Sequence, residues 1–188
     1  IAALLAAAPR SRVVAVDNHL PFVHAVNDSW GHDVRVTARH ANMADEEGPF
    51  DFIWCAGALY FLGIEEGLRT LRGKLAPGAA VAFSALAWLV ANPAPDLTRK
   101  LEAEYPAIGG RGRLKARIAA AGYEILGQQV LSDAAWEAYY TPMEARIARL
   151  RPGASPALAA VLDEAEAEIA LWRANRLSFG YILSVVRP

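Results

Sequence analysis

The stretch from Phe50 to Gly63 constrains the fold most, because a run of bulky apolar residues is followed at once by small ones. The residues from Phe52 to Cys55 show no polar alternation, which is typical of a short strand buried on both faces. Small residues at 56–58 let a ligand approach the backbone closely. Ligands of open α/β sheets bind outside the carboxyl ends of the strands. We therefore expect this stretch to form the floor of a binding crevice.

Other apolar runs alternate with helical patterns along the chain. The runs that predict strands are Val13–Val16, Val34–Val36, Ala80–Phe83, Tyr123–Leu131 and Tyr181–Val186. Segments with helical spacing or capping signals are Leu20–Trp30, Ile64–Leu75, Asp96–Tyr105, Arg111–Ala121 and Ser155–Asn175. This alternation predicts βαβ units and a mostly parallel α/β sheet. A chain of 188 residues is expected to form a single domain.

Composition excludes several classes of function. The 19 basic and 20 acidic side chains leave a net charge of −1, which gives no reason to expect a nucleic-acid or membrane partner. The single cysteine excludes an internal disulfide framework and fits a cytoplasmic protein. The four histidines lack the spacing of metal ligands, so we expect no metal.

Asp17 directly follows the first predicted strand. A carboxylate at the end of the second strand of a Rossmann-like sheet accepts hydrogen bonds from a ribose diol. An Asx turn or a helix N-cap before Leu20 explains the same residue equally well. Asn42 and Met43 lie in the loop after the next strand, where they suit an adenine edge and face.

Two further features have competing interpretations. Cys55 could be a nucleophile, but a small buried core residue is the better reading because no histidine is placed beside it. A basic set on one predicted helix is typical of a solvated face, and the alternative is recognition of an anionic substrate. The members of that set are Arg111, Arg113, Lys115 and Arg117.

The segment from Trp136 to Glu144 carries three large aromatics and a predicted helix start at Thr141-Pro142. Trp136 and Tyr140 are four residues apart, so they share a face if the segment is helical. We expect a broken helix pair that covers an acceptor pocket, within a cap formed by residues 88–150. The alternative is that these aromatics pack as core under the Ser155–Asn175 helix.

The order of these features is similar to that of class I S-adenosylmethionine-dependent methyltransferases. The segments that carry the resemblance are Val13–Asp17, Asn42–Met43, Phe50–Gly63 and Leu75–Gly78, over roughly the first ninety residues. Gly57–Gly63, Ala87–Trp88 and Trp136–Glu144 resemble a bacterial subgroup of small-molecule methyltransferases, which extends the likeness over nearly the whole chain.

The resemblance implies transfer of the sulfonium methyl of S-adenosylmethionine to a small-molecule acceptor. The residues that it assigns to the cofactor are Asp17, Asn18, Asn42, Met43, Cys55, Ala56, Gly57 and Ala58. Asp17 would hold the ribose, Asn42 and Met43 the adenine, and the run from Cys55 the methionine side. The residues assigned to the acceptor are Tyr60, Trp88, Trp136, Tyr139 and Tyr140, with Tyr60 or Glu144 as a catalytic base. The sequence leaves the oligomeric state open between a monomer and a homodimer.

The chain departs from the family at its beginning. The family sheet has the strand order 3-2-1-4-5-7-6, with helices on both faces and an antiparallel last strand. The first strand and its glycine-rich loop, which holds the methionine end of the cofactor, have no counterpart here, since Ile1–Ala8 matches the helix after that loop. We therefore expect an N-terminally truncated methyltransferase domain.

Two other function classes remain open from the sequence. A nicotinamide-dinucleotide oxidoreductase would also place an acid after its second strand, but the chain has no Tyr-x-x-x-Lys. A non-catalytic binding protein with the same fold is the second alternative, because the glycine-rich loop is absent.

Overall fold

The computed structural model describes residues 1–188, and their contacts divide the chain into two compact units, Ile1–Pro49 and Phe50–Pro188. The sequence predicted one domain over residues 1–188, and this stays a prediction. No helix is both long enough and apolar enough to cross a membrane.

The first unit pairs two parallel strands and carries two helices. Its elements are α1 (Ala2–Ala7), β1 (Val13–Asp17), α2 (Leu20–Trp30) and β2 (Val36–His40). Val13 pairs with Val36 and Asp17 with His40, so both strands end at the same edge of the sheet. The predicted β2 at Val34–Val36 was placed too early, because Val34 is exposed and the pairing of β2 with β1 begins at Val36.

The second unit is a five-stranded mixed sheet with five helices. Its strands are β3 (Phe50–Cys55), β4 (Leu75–Trp88), β5 (Gly109–Gly110), β6 (Glu124–Val130) and β7 (Phe179–Arg187). Its helices are α3 (Ile64–Arg72), α4 (Pro95–Glu104), α5 (Arg111–Ala120), α6 (Asp133–Leu150) and α7 (Pro156–Asn175).

The pairing of these strands confirms the predicted fold class. The main path of the sheet is β3-β4-β7-β6, with β3 parallel to β4 and β7 antiparallel to both of its neighbours. The short β5 pairs in parallel with the end of β4. β1 and β2 pair only with each other, in a separate two-stranded sheet. The predicted absence of the family's first strand stays a prediction.

The strand at Phe52–Cys55, now β3, was expected to be buried on both faces, and its burial differs from that of its neighbour β4. Val81, Ala82 and Phe83 of β4 are fully buried although successive side chains point to opposite faces, so both faces of β4 are covered. On β3, by contrast, Phe52 and Trp54 are 42% and 52% exposed. The prediction was therefore wrong for β3, because β3 pairs only with β4 and lies at the edge of its sheet.

A hydrophobic core joins α4, α6 and α7 to one end of the sheet. Its central members are Trp88, Leu101, Tyr140, Ile147, Ile169, Trp172 and Phe179. Helix α7 begins where Ser155 accepts a hydrogen bond from the Leu158 N–H at 3.3 Å and Pro156 occupies the first turn. This capping agrees with the helix start predicted from Ser155-Pro156.

Candidate functional site

The carboxyl ends of β1 and β2 bring the predicted nucleoside residues together within the first unit. The Ala41 N–H donates to the carbonyl of Asp17 at 3.1 Å, and His40 Nε2 lies 3.0 Å from the carbonyl oxygen of Asn18. These contacts tie the turn after β1 to the turn after β2. Asp17, Asn18 and Asn42 therefore lie at one edge of this two-stranded sheet.

Asp17 forms the Asx turn that was one of its two expected roles, and its ribose role stays a prediction. Its Oδ1 accepts a hydrogen bond from the His19 N–H at 2.7 Å, which is the Asx turn that precedes α2. No protein group donates to its Oδ2. A carboxylate has room for about four hydrogen bonds, so the turn leaves one oxygen of Asp17 able to accept from a ligand.

Asn42, like Asp17, uses one side-chain group in a turn and leaves the other without a protein partner. Its Oδ1 accepts from the Ala44 N–H at 2.8 Å, which fixes the loop, while its side-chain NH₂ donates to no protein group. Asn42 is exposed and Met43 is half-buried. The amide edge of Asn42 is therefore available to a planar polar ligand, and Met43 lies next to it in the chain.

In the second unit, the segment after β3 exposes its backbone, as the small residues predicted. Gly57 has φ +73° and its N–H donates to the buried Ser84 Oγ at 2.9 Å. No heavy atom lies within 4 Å of the position that a Cβ would take at Gly57, so the space in front of it is open. Ala56 is exposed and Ala58 is half-buried.

Cys55, at the end of β3, is buried and forms no disulfide. Burial raises the pKa of this thiol to about 11, so it is protonated near neutral pH. This agrees with the reading of Cys55 as a small core residue, since a nucleophilic cysteine needs its thiolate. No cluster of histidine, cysteine and carboxylate side chains could hold a metal ion.

Beyond β3, a cavity of about 180 Å³ is bounded by the ends of several elements of the second unit. We call it the tyrosine cavity, because the side chains of Tyr60, Tyr105 and Tyr181 line it. Its charged lining residues are Glu104, Arg113 and Arg117. Ser84, which holds the Gly57 N–H, also lines it, so the cavity adjoins the segment after β3.

The geometry of the three tyrosines suits them for binding an organic molecule. The rings of Tyr60 and Tyr105 meet edge to face with centroids 6.2 Å apart. Burial raises the pKa of Tyr105, and it raises the pKa of Tyr181 to about 12, so both phenols stay neutral donors near pH 7. No protein group hydrogen-bonds any of the three hydroxyls. Aromatic faces beside free hydroxyl groups offer both apolar area and polar anchors.

Of the residues predicted to line the acceptor side, only Tyr60 lines this cavity. Trp88 and Tyr140 are core residues, and Tyr140 is 1% exposed. Trp136 stacks on Tyr140, Trp172 and Tyr181 with ring centroids 5.0 to 5.6 Å apart. Tyr139 lies on the surface. The placement of Trp136 and Tyr140 follows the alternative of core packing under α7, whereas the exposed Tyr139 does not. A role of these four residues in acceptor binding stays a prediction.

The predicted helix break at Thr141-Pro142 is wrong, because α6 runs unbroken from Asp133 to Leu150 with Pro142 inside it. Proline removes one helical hydrogen bond to the carbonyl four residues earlier. Two other interactions sustain the helix. Ser132 Oγ caps its start by accepting from the Ala135 N–H, and Tyr140 and Ile147 anchor it in the core on either side of Pro142.

Glu144 lies in a second, open cavity of about 520 Å³, which we call the α6–α7 groove. Arg173 donates from Nη1 to Glu144 Oε1 at 2.6 Å and from Nη2 to Glu137 Oε2 at 2.6 Å. These hydrogen bonds to Arg173 lower the pKa of both glutamates. Glu144 does not line the tyrosine cavity, and a carboxylate held by arginine is a weak base. Its role as a catalytic base stays a prediction.

Sequence reasoning did not single out Tyr105 or Tyr181. Tyr105 precedes Pro106 at the end of α4, and that boundary was the one available signal. Tyr181 reaches the cavity because β7 pairs Tyr181 with Leu86 of β4, a register that the sequence does not show. Arg113 and Arg117 belong to the basic set already noted, and the structure places both on the cavity wall.

Comparisons with known proteins were made by sequence and by structure. No protein-family model matches the chain, and no curated protein matches it by sequence. Among solved structures, a methyltransferase from Geobacter sulfurreducens has a TM-score of 0.76 at 18% identity, over 93% of this chain and 74% of that one. One from Thiobacillus denitrificans has a TM-score of 0.77 at 15% identity, over 94% and 75%. Both are S-adenosylmethionine-dependent and were solved with S-adenosyl-L-homocysteine.

The fold is that of these methyltransferases. The same fold also occurs in the [4+2]-cyclase SpnF, with a TM-score of 0.70 at 16% identity, over 98% of this chain and 69% of that one. Because one fold hosts several chemistries, the activity has to be argued from the residues of the site.

Proposed function

We propose that the protein is an S-adenosylmethionine-dependent methyltransferase that acts on a small-molecule acceptor. The observation that carries the proposal is the state of Asp17 at the carboxyl end of β1. One of its oxygens is fixed in an Asx turn and the other is unpaired, on a fold shared with enzymes solved with S-adenosylhomocysteine. A positioned carboxylate at that strand end is what a ribose diol requires.

The residues present fit the nucleoside half of S-adenosylmethionine. Asp17 offers a carboxylate oxygen for the ribose, and Asn18 lies beside it. Asn42 offers a free amide edge for adenine, with Met43 next to it. On the methionine side, the run Cys55, Ala56, Gly57 and Ala58 exposes backbone over open space. The glycine-rich loop that completes this side in the family is not among the described residues.

When bound, S-adenosylmethionine supplies a methyl group on sulfur, and the acceptor's lone pair forms the new bond while the sulfur keeps the electrons of the old one. The protein then has to align the acceptor and exclude water. The tyrosine cavity adjoins the exposed segment at Gly57 and offers three phenol hydroxyls for this task. We propose Tyr60 as the residue that orients the acceptor's nucleophilic atom, and its role as a catalytic base stays a prediction.

Charge and cysteine usage support a cytoplasmic small-molecule enzyme, and the resemblance to a bacterial methyltransferase subgroup supports a bacterial origin. The net charge of −1 offers no surplus of positive charge for nucleic acid or membrane lipid, and Cys55 is buried and forms no disulfide. A homodimer stays a prediction.

Calorimetric titration tests the proposal. We expect S-adenosylmethionine and S-adenosylhomocysteine to bind with one site per chain, and nicotinamide dinucleotide not to bind. Binding of the dinucleotide alone would assign the site to an oxidoreductase. Binding of neither would favour a non-catalytic protein with this fold.

A further inference from the structure

We propose that the tyrosine cavity recognises the acceptor by an anionic group, a carboxylate on a planar organic body, which Arg113 holds with help from Arg117. This inference names the substrate class for the proposed methyl transfer and rests on that function. It chooses between the two readings of the basic set on α5, a solvated face or an anion site.

The first observation is that Arg113, on the cavity wall, leaves most of its hydrogen-bond donors unused. Arg113 forms no ion pair, and its one hydrogen bond to the protein runs from Nη1 to the carbonyl oxygen of Ile108 at 3.3 Å. An arginine carries five N–H donors, so most of its donors are unused. Planar guanidinium groups bind carboxylates through two parallel hydrogen bonds.

The second observation is that the chain fixes Arg113 in place. A Cβ added at Gly109 would lie 2.5 Å from Arg113 Cδ and 3.1 Å from its Cβ, so the stem of Arg113 lies directly on the glycine of β5. β5 in turn pairs with Ala87 and Trp88 of β4. β5 thus positions the stem of Arg113, whose side chain is exposed to solvent, and this lowers the conformational-entropy cost of binding a ligand.

The third observation concerns Arg117, one helical turn further along α5. It is half-buried, and its Nη1 donates to the carbonyl of Ala107 at 2.9 Å while its Nε lies 4.0 Å from Glu65 Oε1. Arg117 therefore holds the loop that carries Ala107 and Ile108, and it adds a second positive charge to the cavity wall.

The fourth observation is the balance of donors and acceptors. The hydroxyls of Tyr60, Tyr105 and Tyr181 are free to donate, and the two arginines add N–H donors. The single acidic lining residue is Glu104, which is exposed at the end of α4. A wall rich in donors, on which Arg113 has no carboxylate partner while Arg117 is paired with Glu65 and Glu104 is exposed, favours an anion over an ammonium group.

Three probes on one scaffold test this proposal: benzoate, methyl benzoate and benzylamine, titrated by ligand-observed NMR in the absence of cofactor. We expect benzoate to bind at least tenfold more tightly than the neutral ester, and benzylamine to bind more weakly still. Equal binding of benzoate and the ester, tighter binding of benzylamine, or no binding of benzoate at millimolar concentration would overturn the proposal.

Variants locate the anion. Arg113→Met keeps the apolar stem and should raise the Kd for benzoate at least tenfold, whereas Arg111→Met, on the same helix but off the cavity wall, should leave it unchanged. Gly109→Ala keeps every charge but displaces Arg113, so it should also raise the Kd for benzoate. It replaces Arg113→Met as the test variant if Arg113→Met does not fold. Unchanged benzoate binding in a folded Arg113→Met or Gly109→Ala protein would overturn the assignment. These titrations need no cofactor, so failure of S-adenosylmethionine to bind would refute the methyltransferase function separately.

Discussion

Arg173 in the α6–α7 groove and Arg113 in the tyrosine cavity differ in their use of hydrogen-bond donors. In the α6–α7 groove, Arg173 joins Glu137 and Glu144, and Arg151 joins Asp163 and Glu166. In the tyrosine cavity, Arg113 has no carboxylate partner. The larger cavity is thus the one whose charges are already compensated within the chain. Unused hydrogen-bonding capacity, and not volume, distinguishes a binding site from a groove between helices.

The same contrast holds between two aspartates of the first unit. Both oxygens of Asp33 accept hydrogen bonds from Arg35, and these bonds lower the pKa of Asp33 to about 2. Asp17 commits one oxygen to the His19 N–H and keeps the other. Both oxygens of Asp33 are used within the protein, whereas Asp17 keeps one oxygen that no protein group uses.

The largest expected effect is a loss of folding stability on substitution in the core between α6 and α7. Trp172 is buried in the core against Trp136 and Tyr140. Trp172→Ala should lower the free energy of unfolding by about 3–5 kcal/mol through lost burial and a residual cavity. Denaturant titration measures this loss, with Leu177→Ala at an exposed position as the control that should change little. A loss below about 1 kcal/mol would show that this core is not packed as described.

The next largest expected effect is on ligand affinity and not on folding stability. Asp17→Asn keeps an oxygen for the His19 N–H but removes the charge, so we expect the melting temperature to hold. The Kd for S-adenosylmethionine should rise about ten- to a hundredfold, as loss of a charge-assisted hydrogen bond costs about 1.5–3 kcal/mol. Calorimetry measures it, with Asp33→Asn as the matched control that leaves the Kd unchanged. Unchanged affinity in Asp17→Asn would restrict Asp17 to its turn.

Much of this fold could be predicted from the sequence because local signals and tertiary structure agree. The apolar run of β4, the Ser155-Pro156 helix start and the acid after β1 each lie where the pattern placed them. The helix break at Pro142 failed because core packing on both sides of the proline outweighs one lost hydrogen bond. Arg173 pairs with Glu144, 29 positions away, and with Glu137, 36 positions away, and no local sequence pattern shows such pairs.

A smaller effect separates the core aromatics from the cavity tyrosines. The Tyr140 hydroxyl donates to Glu168 Oε1 at 3.0 Å, so Tyr140→Phe should cost about 1 kcal/mol of stability. Tyr139→Phe, at an exposed neighbour without such a bond, should cost nothing measurable. Chemical unfolding compares the two. If Tyr140→Phe instead keeps full stability but loses turnover with an acceptor, Tyr140 belongs to the acceptor site after all.

The smallest effect is the pH dependence of the Arg173 network. Because Arg173 lowers the pKa of Glu137 and Glu144, their stabilisation is present above the unfolded pKa of about 4.3 and is lost as pH falls through the folded pKa. The melting-temperature difference between wild type and Arg173→Met should therefore shrink between about pH 5 and pH 3. All three groups are near the surface, so salt should shrink it as well. A difference that is independent of pH would argue against these ion pairs.

The central claim, that ligands bind where the chain leaves polar groups unpaired, is tested most directly by backbone amide NMR during titration with S-adenosylhomocysteine. The account predicts shift changes at Asp17–Asn18, Asn42–Met43 and Ala56–Ala58, and none at Glu144 and Arg173 in the α6–α7 groove. Shift changes confined to that groove, with Asp17 unaffected at saturation, would contradict it.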